Sequence, residues 1–152
     1  MQDIGIFYED FTFKLKVEKG DLVGDDGLET SVIISLFTDK RVSQENLPQG
    51  QTSRRGYWGD MFPDVEGDQI GSRLWTLDRS KILPQTLTAF ENEARDCLQW
   101  MLDDNVAKTI EVSASTDEFD RLSLSINITK PDDQKNLYGF IWDGQEVRRK
   151  AV

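Results

Sequence analysis

The chain contains no histidine. That absence excludes His-dependent catalytic triads, His general bases and the common His-containing zinc sites. Cysteine is nearly absent too: Cys97 stands alone. An intrachain disulfide is impossible and thiolate clusters are excluded, a pattern that suits a reducing cytosol or an assembly built there. No apolar run approaches the ~20 residues of a membrane-spanning helix. Met1-Gln2-Asp3-Ile4 lacks the basic and apolar regions of a signal peptide, so neither export nor membrane insertion is expected. Positive charge is scarce, with 18 basic against 28 acidic residues and a formal charge of -10. Such a balance disfavours nonspecific binding to nucleic acid or anionic membranes. Arg54, Arg55, Arg73 and Arg79 lie close enough in sequence to form a local basic patch. There is no Gly-rich loop ending in Lys-Ser or Lys-Thr and no dinucleotide fingerprint, and no cofactor is expected.

What is present fits one folded domain. The chain has 152 residues, enough for a substantial single core. Its four Trp and eight Phe need somewhere to pack. Residues 11–17 alternate strictly, which would put Phe11, Phe13, Leu15 and Val17 on one strand face. Gly20-Asp21 and Gly24-Asp25-Asp26-Gly27 are turn chemistry. Residues 1–27 therefore read as an N-terminal β extension. Residues 28–37 carry both signals: an apolar stripe from Leu28, Val32, Ile33, Leu36 and Phe37 favours a helix, while Thr30, Val32, Ile33 and Ile34 are β-branched. We read a helix. Pro84 opens the clearest element. From Gln85 to Asp103, Leu87, Phe90, Ala94, Leu98, Met101 and Leu102 recur at helical spacing, and Asp103-Asp104-Asn105 stops the run. Residues 106–115 and 121–129 then alternate as a β-hairpin whose apolar face should cover the long helix. Residues 137–142 offer a further strand or an arm. The fold expected is α+β: a long helix in the C-terminal half and shorter helices, packed on a small, mostly antiparallel sheet. Residues 28–145 would form this domain, and the basic tail 146–152 is expected to fray.

The region with no sustained period is 43–72. It holds five Gly and two of the four Pro. A connection that long is usually functional or disordered, and its aromatic content argues for order. Ser72 is placed to cap a short helix through Leu77. Within and beside this region lie Arg54-Arg55-Gly56-Tyr57-Trp58-Gly59-Asp60 and Gly71-Ser72-Arg73-Leu74-Trp75. Trp, Tyr and Arg are the commonest energetic anchors of protein interfaces. Arg55, Tyr57, Trp58, Asp60, Arg73 and Trp75 are therefore the candidate interface residues, with Asp60 and Asp78 expected to fix the arginines. The bland alternative is local: aromatics packed on the core and arginines held by nearby carboxylates. Catalysis by paired carboxylates would draw on Asp60, Asp64, Glu66 and Asp68, but so acidic a chain makes such clusters by chance. Asp64-Val65-Glu66-Gly67-Asp68 lacks the spacing of an EF-hand calcium loop. Cys97 reads as a buried structural thiol. No catalytic, cofactor or metal residue is expected.

Taken in order, several strings match a known pattern. They are Leu28-x3-Val32-x-Ile34-Ser35-Leu36-Phe37-Thr38-Asp39-x-Arg41, then Arg55-Gly56-Tyr57-Trp58-Gly59-Asp60, then Gly71-Ser72-x-Leu74-Trp75-x-Leu77 and a helix ending near Trp100. Over residues 20–143 the chain resembles the Mu-like phage baseplate wedge family, related to the small, so-called lysozyme-like wedge subunits of contractile tails. The resemblance implies an α+β fold and a structural role without enzymatic activity. It implies assembly with larger wedge proteins and with proteins at the tube or sheath end, in a virion tail baseplate put together in the host cytoplasm. Self-association is a further possibility. The competing reading is a peptidoglycan-degrading tail enzyme. One departure stands out: many small wedge relatives carry Glu-Pro-Arg after the long helix, where this chain has Asp103-Asp104-Asn105-Val106-Ala107. Residues 55–75 are the candidate for part of the replacement contact.

Overall fold

The computed structural model describes residues 3–9, 12–25, 27–78, 80–142 and 147–149. Met1, Gln2, Phe11, Asp26 and Arg79, all used above, lie outside them, as do residues 146 and 150–152 of the tail. The centre of the fold is a four-stranded antiparallel sheet made of β7 (Thr109–Thr116), β8 (Leu122–Thr129), β9 (Lys135–Trp142) and β10 (Val147–Arg149), in the order β10-β9-β8-β7. The alternation in β8 does what its period requires. Leu122, Leu124, Ile126 and Ile128 all face one side and are buried there. Register carries the pattern across the sheet: Val112 pairs with Ile126, and Ile126 with Tyr138.

Two helices cover this face. In α2 (Pro84–Asp103), Phe90, Ala94, Leu98 and Met101 make the buried stripe. Pro84 sits at the first helical position, where a missing N–H costs nothing. At the other end Asn105 takes a left-handed φ of 57°, closing the helix as a Gly or Asn commonly does. The shorter α1 (Glu29–Phe37) is the segment whose periodicity competed with its β-branching. Helix prevails because Val32, Ile33 and Leu36 all reach the shared core, and burial outweighs the small helix penalty of Val and Ile.

The N-terminal strands β1 (Asp3–Ile4), β2 (Ile6–Glu9), β3 (Thr12–Leu15), β4 (Val17–Glu18), β5 (Asp21–Leu22) and β6 (Gly24–Asp25) form three antiparallel pairs: β1 with β6, β2 with β3, and β4 with β5. The β4–β5 turn uses Lys19 and Gly20, both at positive φ, as a two-residue hairpin of the favoured twist requires. These strands are tied to α1. Thr30 Oγ1 donates to Ile4 O (2.9 Å) and accepts from Ile6 N (3.2 Å). Asp25 caps the helix from outside: its two oxygens accept from Thr30 N (2.8 Å) and Gly27 N (2.9 Å). Tyr138 Oη accepts from Leu28 N, linking the same helix start to β9.

Two expectations are corrected here. The continuous strand face expected over 11–17 is broken at Lys16, whose N–H turns to Gly5 O (2.7 Å). Among the described residues of that face only Phe13 reaches the interior, stacking on Phe37 at 5.8 Å, while Leu15 and Val17 are exposed. The tail expected to fray supplies β10, in which Val147, Arg148 and Arg149 pair with Trp142, Ile141 and Phe140. An edge strand needs only main-chain pairing, so its sequence carried no periodic signal.

Candidate functional site: a pinned loop with an apolar tip

After α1 the chain runs through residues 38–42, and both ends of the long connection return to that strip. At the first end, Val42 N donates to Arg54 O (3.2 Å), and Arg54 Nε donates to Val42 O (2.6 Å). Arg41 Nη1 donates to Arg55 O (3.2 Å). At the second end, Ser72 N donates to Thr38 O and Lys40 N to Ser72 O, both at 2.9 Å, a short parallel bridge. Ser72 is buried. Its hydroxyl donates to Leu36 O and accepts from Leu74 N (3.2 Å), where the short 3-10 helix Leu74–Leu77 begins.

The glycines on the two sides mark close backbone approaches. Gly56 has φ +109°, and a Cβ there would sit 2.7 Å from Arg41 Cβ. Gly71 has φ +96°, and its Cβ would overlap the Thr38 carbonyl. Only a residue without a side chain fits either place.

The six candidate residues divide between base and tip. Trp75 is buried, and its indole N–H donates to Lys40 O (2.9 Å). The Arg55 guanidinium lies over the Trp75 ring, 4.5 Å from its centroid, and pairs with Asp39 at 2.9 Å. Arg73 reaches α2, where Nε and Nη2 contact the two Glu93 oxygens at 3.0 and 2.9 Å, with Asp96 at 3.6 Å. The expected arginine partners are thus corrected: Asp39 holds Arg55, and Glu93 with Asp96 holds Arg73. Tertiary neighbours took the place of sequence neighbours. Asp60 has a different job, accepting from Ile70 N (3.2 Å) across the loop.

Tyr57 and Trp58 lie outside this set of contacts with the core. Their rings meet each other at 5.4 Å, and Trp58 is 70% exposed. The short 3-10 helix Trp58–Met61 leads to a tip where Met61, Phe62 and Val65 are each more than two-thirds exposed. Sequence reading missed these three because they have no period and no motif. The available signal was apolar side chains inside an otherwise polar, aperiodic stretch. Behind the tip runs a groove of about 450 Å³ between the loop and the two helices, walled by Ile34, Ile70, Trp100 and Pro63. Cys97 also lines it. Burial, with Glu93 and Asp96 nearby, pushes its thiol up to about 12, so it is protonated and inert at neutral pH. Among the described residues no group of three or more Cys, Asp or Glu is placed to hold a metal ion, and no helix is long and apolar enough to cross a membrane.

Fold and loop together define a small α+β domain that carries one long, fixed surface loop. Residues 28–135 match the family model described as Phage protein GP46, and the chain belongs to that family. It is 40% identical over 132 residues to the Mu-like prophage FluMu protein gp46 of Haemophilus influenzae, covering 87% of this chain and 90% of the relative. It is 37% identical over 141 residues to the baseplate protein gp46 of Escherichia phage Mu, covering 92% and 95%. The expectation of a structural baseplate subunit from a Mu-like phage or prophage is borne out at this level.

Proposed function

We propose that this chain works as a non-enzymatic joint in a Mu-like tail baseplate, binding larger wedge proteins and proteins near the tube or sheath end. Arg55, Tyr57, Trp58, Asp60, Arg73 and Trp75 act as one unit in this reading. Arg55, Arg73 and Trp75 hold the base of the loop, Asp60 ties its interior, and Tyr57 with Trp58 meets the partner. The observation that carries the proposal is the contrast in exposure: Trp75, just past the base of the anchored loop, is 5% exposed, while Trp58, within it, is 70% exposed. A large aromatic left in solvent on a fixed scaffold is the usual form of an interface anchor. The subunit would reside in the virion tail after assembly in the host cytoplasm.

Co-purification tests this. Trp58→Ala, with Tyr57→Ala, should abolish capture of the larger wedge protein expressed from the same prophage. Loss of such an anchor typically weakens binding by about 30-fold or more. Circular dichroism and melting temperature should stay unchanged, because neither side chain supports the core. Undiminished capture by the double variant would sink the assignment. Loss of turbidity in purified cell walls, dependent on Asp60, Asp64, Glu66 or Asp68, would instead favour the hydrolase reading.

A further inference from the structure

The tip is apolar, but its charge is one-sided. Residues 57–71 contain Asp60, Asp64, Glu66 and Asp68 and no Lys or Arg. Asp64, Glu66 and Asp68 are exposed and interleave with Phe62, Val65 and Ile70. The groove behind the tip continues the pattern. Its apolar wall of Ile34, Trp100 and Ile70 is rimmed by Asp68 and Asp104. Asp60 forms part of the same wall, and its Oδ2 is buried with no hydrogen-bond partner among the described residues. Of the arginines that flank the loop, Arg55 is paired with Asp39 and Arg73 with Glu93, while Arg54 and Arg41 donate to the backbone carbonyls of Val42 and Arg55. Residues 57–71 themselves therefore carry only negative side-chain charge beside an exposed apolar surface. A carboxylate oxygen left without a donor is costly, and a nearby cation lowers that cost.

We infer that the groove between residues 57–71 and the two helices receives a cationic, apolar segment of another baseplate protein, with Lys or Arg set among large apolar side chains. This rests on the interface reading above and adds the chemistry of the partner. Charge complementarity selects it. Apolar side chains of the segment would cover Trp58, Phe62 and Trp100, while its cations face Asp64, Glu66, Asp68 and Asp104. Rim charges of this kind govern encounter rate and partner choice more than final affinity. An acidic or neutral segment would meet like charge or none. A nucleic acid or an anionic bilayer would be repelled.

The test uses the full chain and overlapping fluorescent peptides that cover the other baseplate proteins of the same prophage. Peptides that bind should carry net positive charge with interspersed apolar residues, and binding should weaken as salt rises. The variant Asp64→Asn/Glu66→Gln/Asp68→Asn should bind them about tenfold more weakly and lose most of the salt dependence. Glu66→Lys, a single change on the same exposed surface, should weaken binding in the same direction. Selection of acidic or neutral peptides, or unchanged binding by both variants, would overturn the inference. So would binding of phosphatidylglycerol vesicles in place of any peptide. The two proposals fail separately. If Trp58→Ala/Tyr57→Ala loses the wedge protein while the charge variants keep both affinity and salt dependence, the interface stands and its cationic partner falls.

Discussion

Replacing Gly71 by Ala should be among the most damaging single-methyl additions in the molecule. Two costs combine. The residue sits at φ +96°, where an L side chain is strained by roughly 1–2 kcal/mol. The new Cβ would also overlap Thr38 O and lie 2.8 Å from its carbonyl carbon and 3.1 Å from its Cβ. These are mostly backbone atoms, and they cannot swing away as the end of a long side chain can. Relief requires displacement of the strip at residues 38–40, which would break the Ser72–Thr38 and Lys40–Ser72 hydrogen bonds. Overpacking of this kind adds about 1–3 kcal/mol. The expected loss is about 2–5 kcal/mol, or a melting temperature lower by roughly 10 °C for a domain of this size. Urea denaturation followed by circular dichroism measures it. Gly67→Ala is the control, because Gly67 has φ +84° with nothing within 4 Å of the added carbon. It isolates the backbone strain, and its cost should be about 1 kcal/mol. If the two variants agree within about 0.5 kcal/mol, the close approach between loop and strip is wrong.

Two further outcomes follow from titrating groups. Cys97, pushed up to about 12 from an ordinary 9.0, should hold about a thousandfold less thiolate in the native protein than in the unfolded chain near neutral pH. Alkylation by iodoacetamide should therefore be slow in buffer and fast in urea; equal rates would contradict the placement of the thiol. Asp117, in the turn between β7 and β8, is held below the ordinary carboxylate value of 3.8 by its hydrogen bonds from Arg121 and then from the backbone at Arg121 and Phe119. A depressed folded value gives stability that is fully present above 3.8 and lost as pH falls through the lower folded value. The stability gap between wild type and Asp117→Asn should be widest near neutral pH and close in acid. A gap that stays constant across that range would refute the assignment.

How much of this was legible in the residues depended on whether periodicity carried the information. The stripe Phe90, Ala94, Leu98 and Met101 and the alternation Leu122, Leu124, Ile126 and Ile128 specified α2 and β8, because a single buried face forces one period. The break at Lys16 was invisible, since the alternation over 11–17 reads the same whether the strand has one partner or two. Arg55 and Arg73 stood out in the sequence, but their partners Asp39 and Glu93 lie 16 and 20 residues away. Short-range reading favoured Asp60 and Asp78 instead. Asp25 as the cap of α1 escaped for a related reason: it lies four residues before the first helical residue, not directly before it. The residues that shape the loop's base were marked by glycines. The exposed apolar tip was marked by nothing except its departure from polarity.

On the proposed interface reading, the arrangement of the loop explains why anchors and contact residues occur together in so short a stretch. An apolar side chain on a loose loop loses roughly 0.5–1.5 kcal/mol of rotamer and backbone freedom when a partner fixes it. Here both ends of the connection are bonded to residues 38–42, and the carboxylate of Asp60 cross-links the interior through Ile70 N. Much of that ordering cost is met in folding, before any partner arrives. The Arg55–Asp39 pair is half-exposed, so its ionic contribution alone is small. Its value is geometric: it holds the guanidinium on Trp75, whose indole is fixed to Lys40 O, and so couples the tip to the core through buried aromatic area. Substitution at Trp75 would then affect stability and association together, whereas substitution at Trp58 would affect association alone. That difference separates a residue that shapes the surface from one that forms it, although both are tryptophans in one glycine-framed segment.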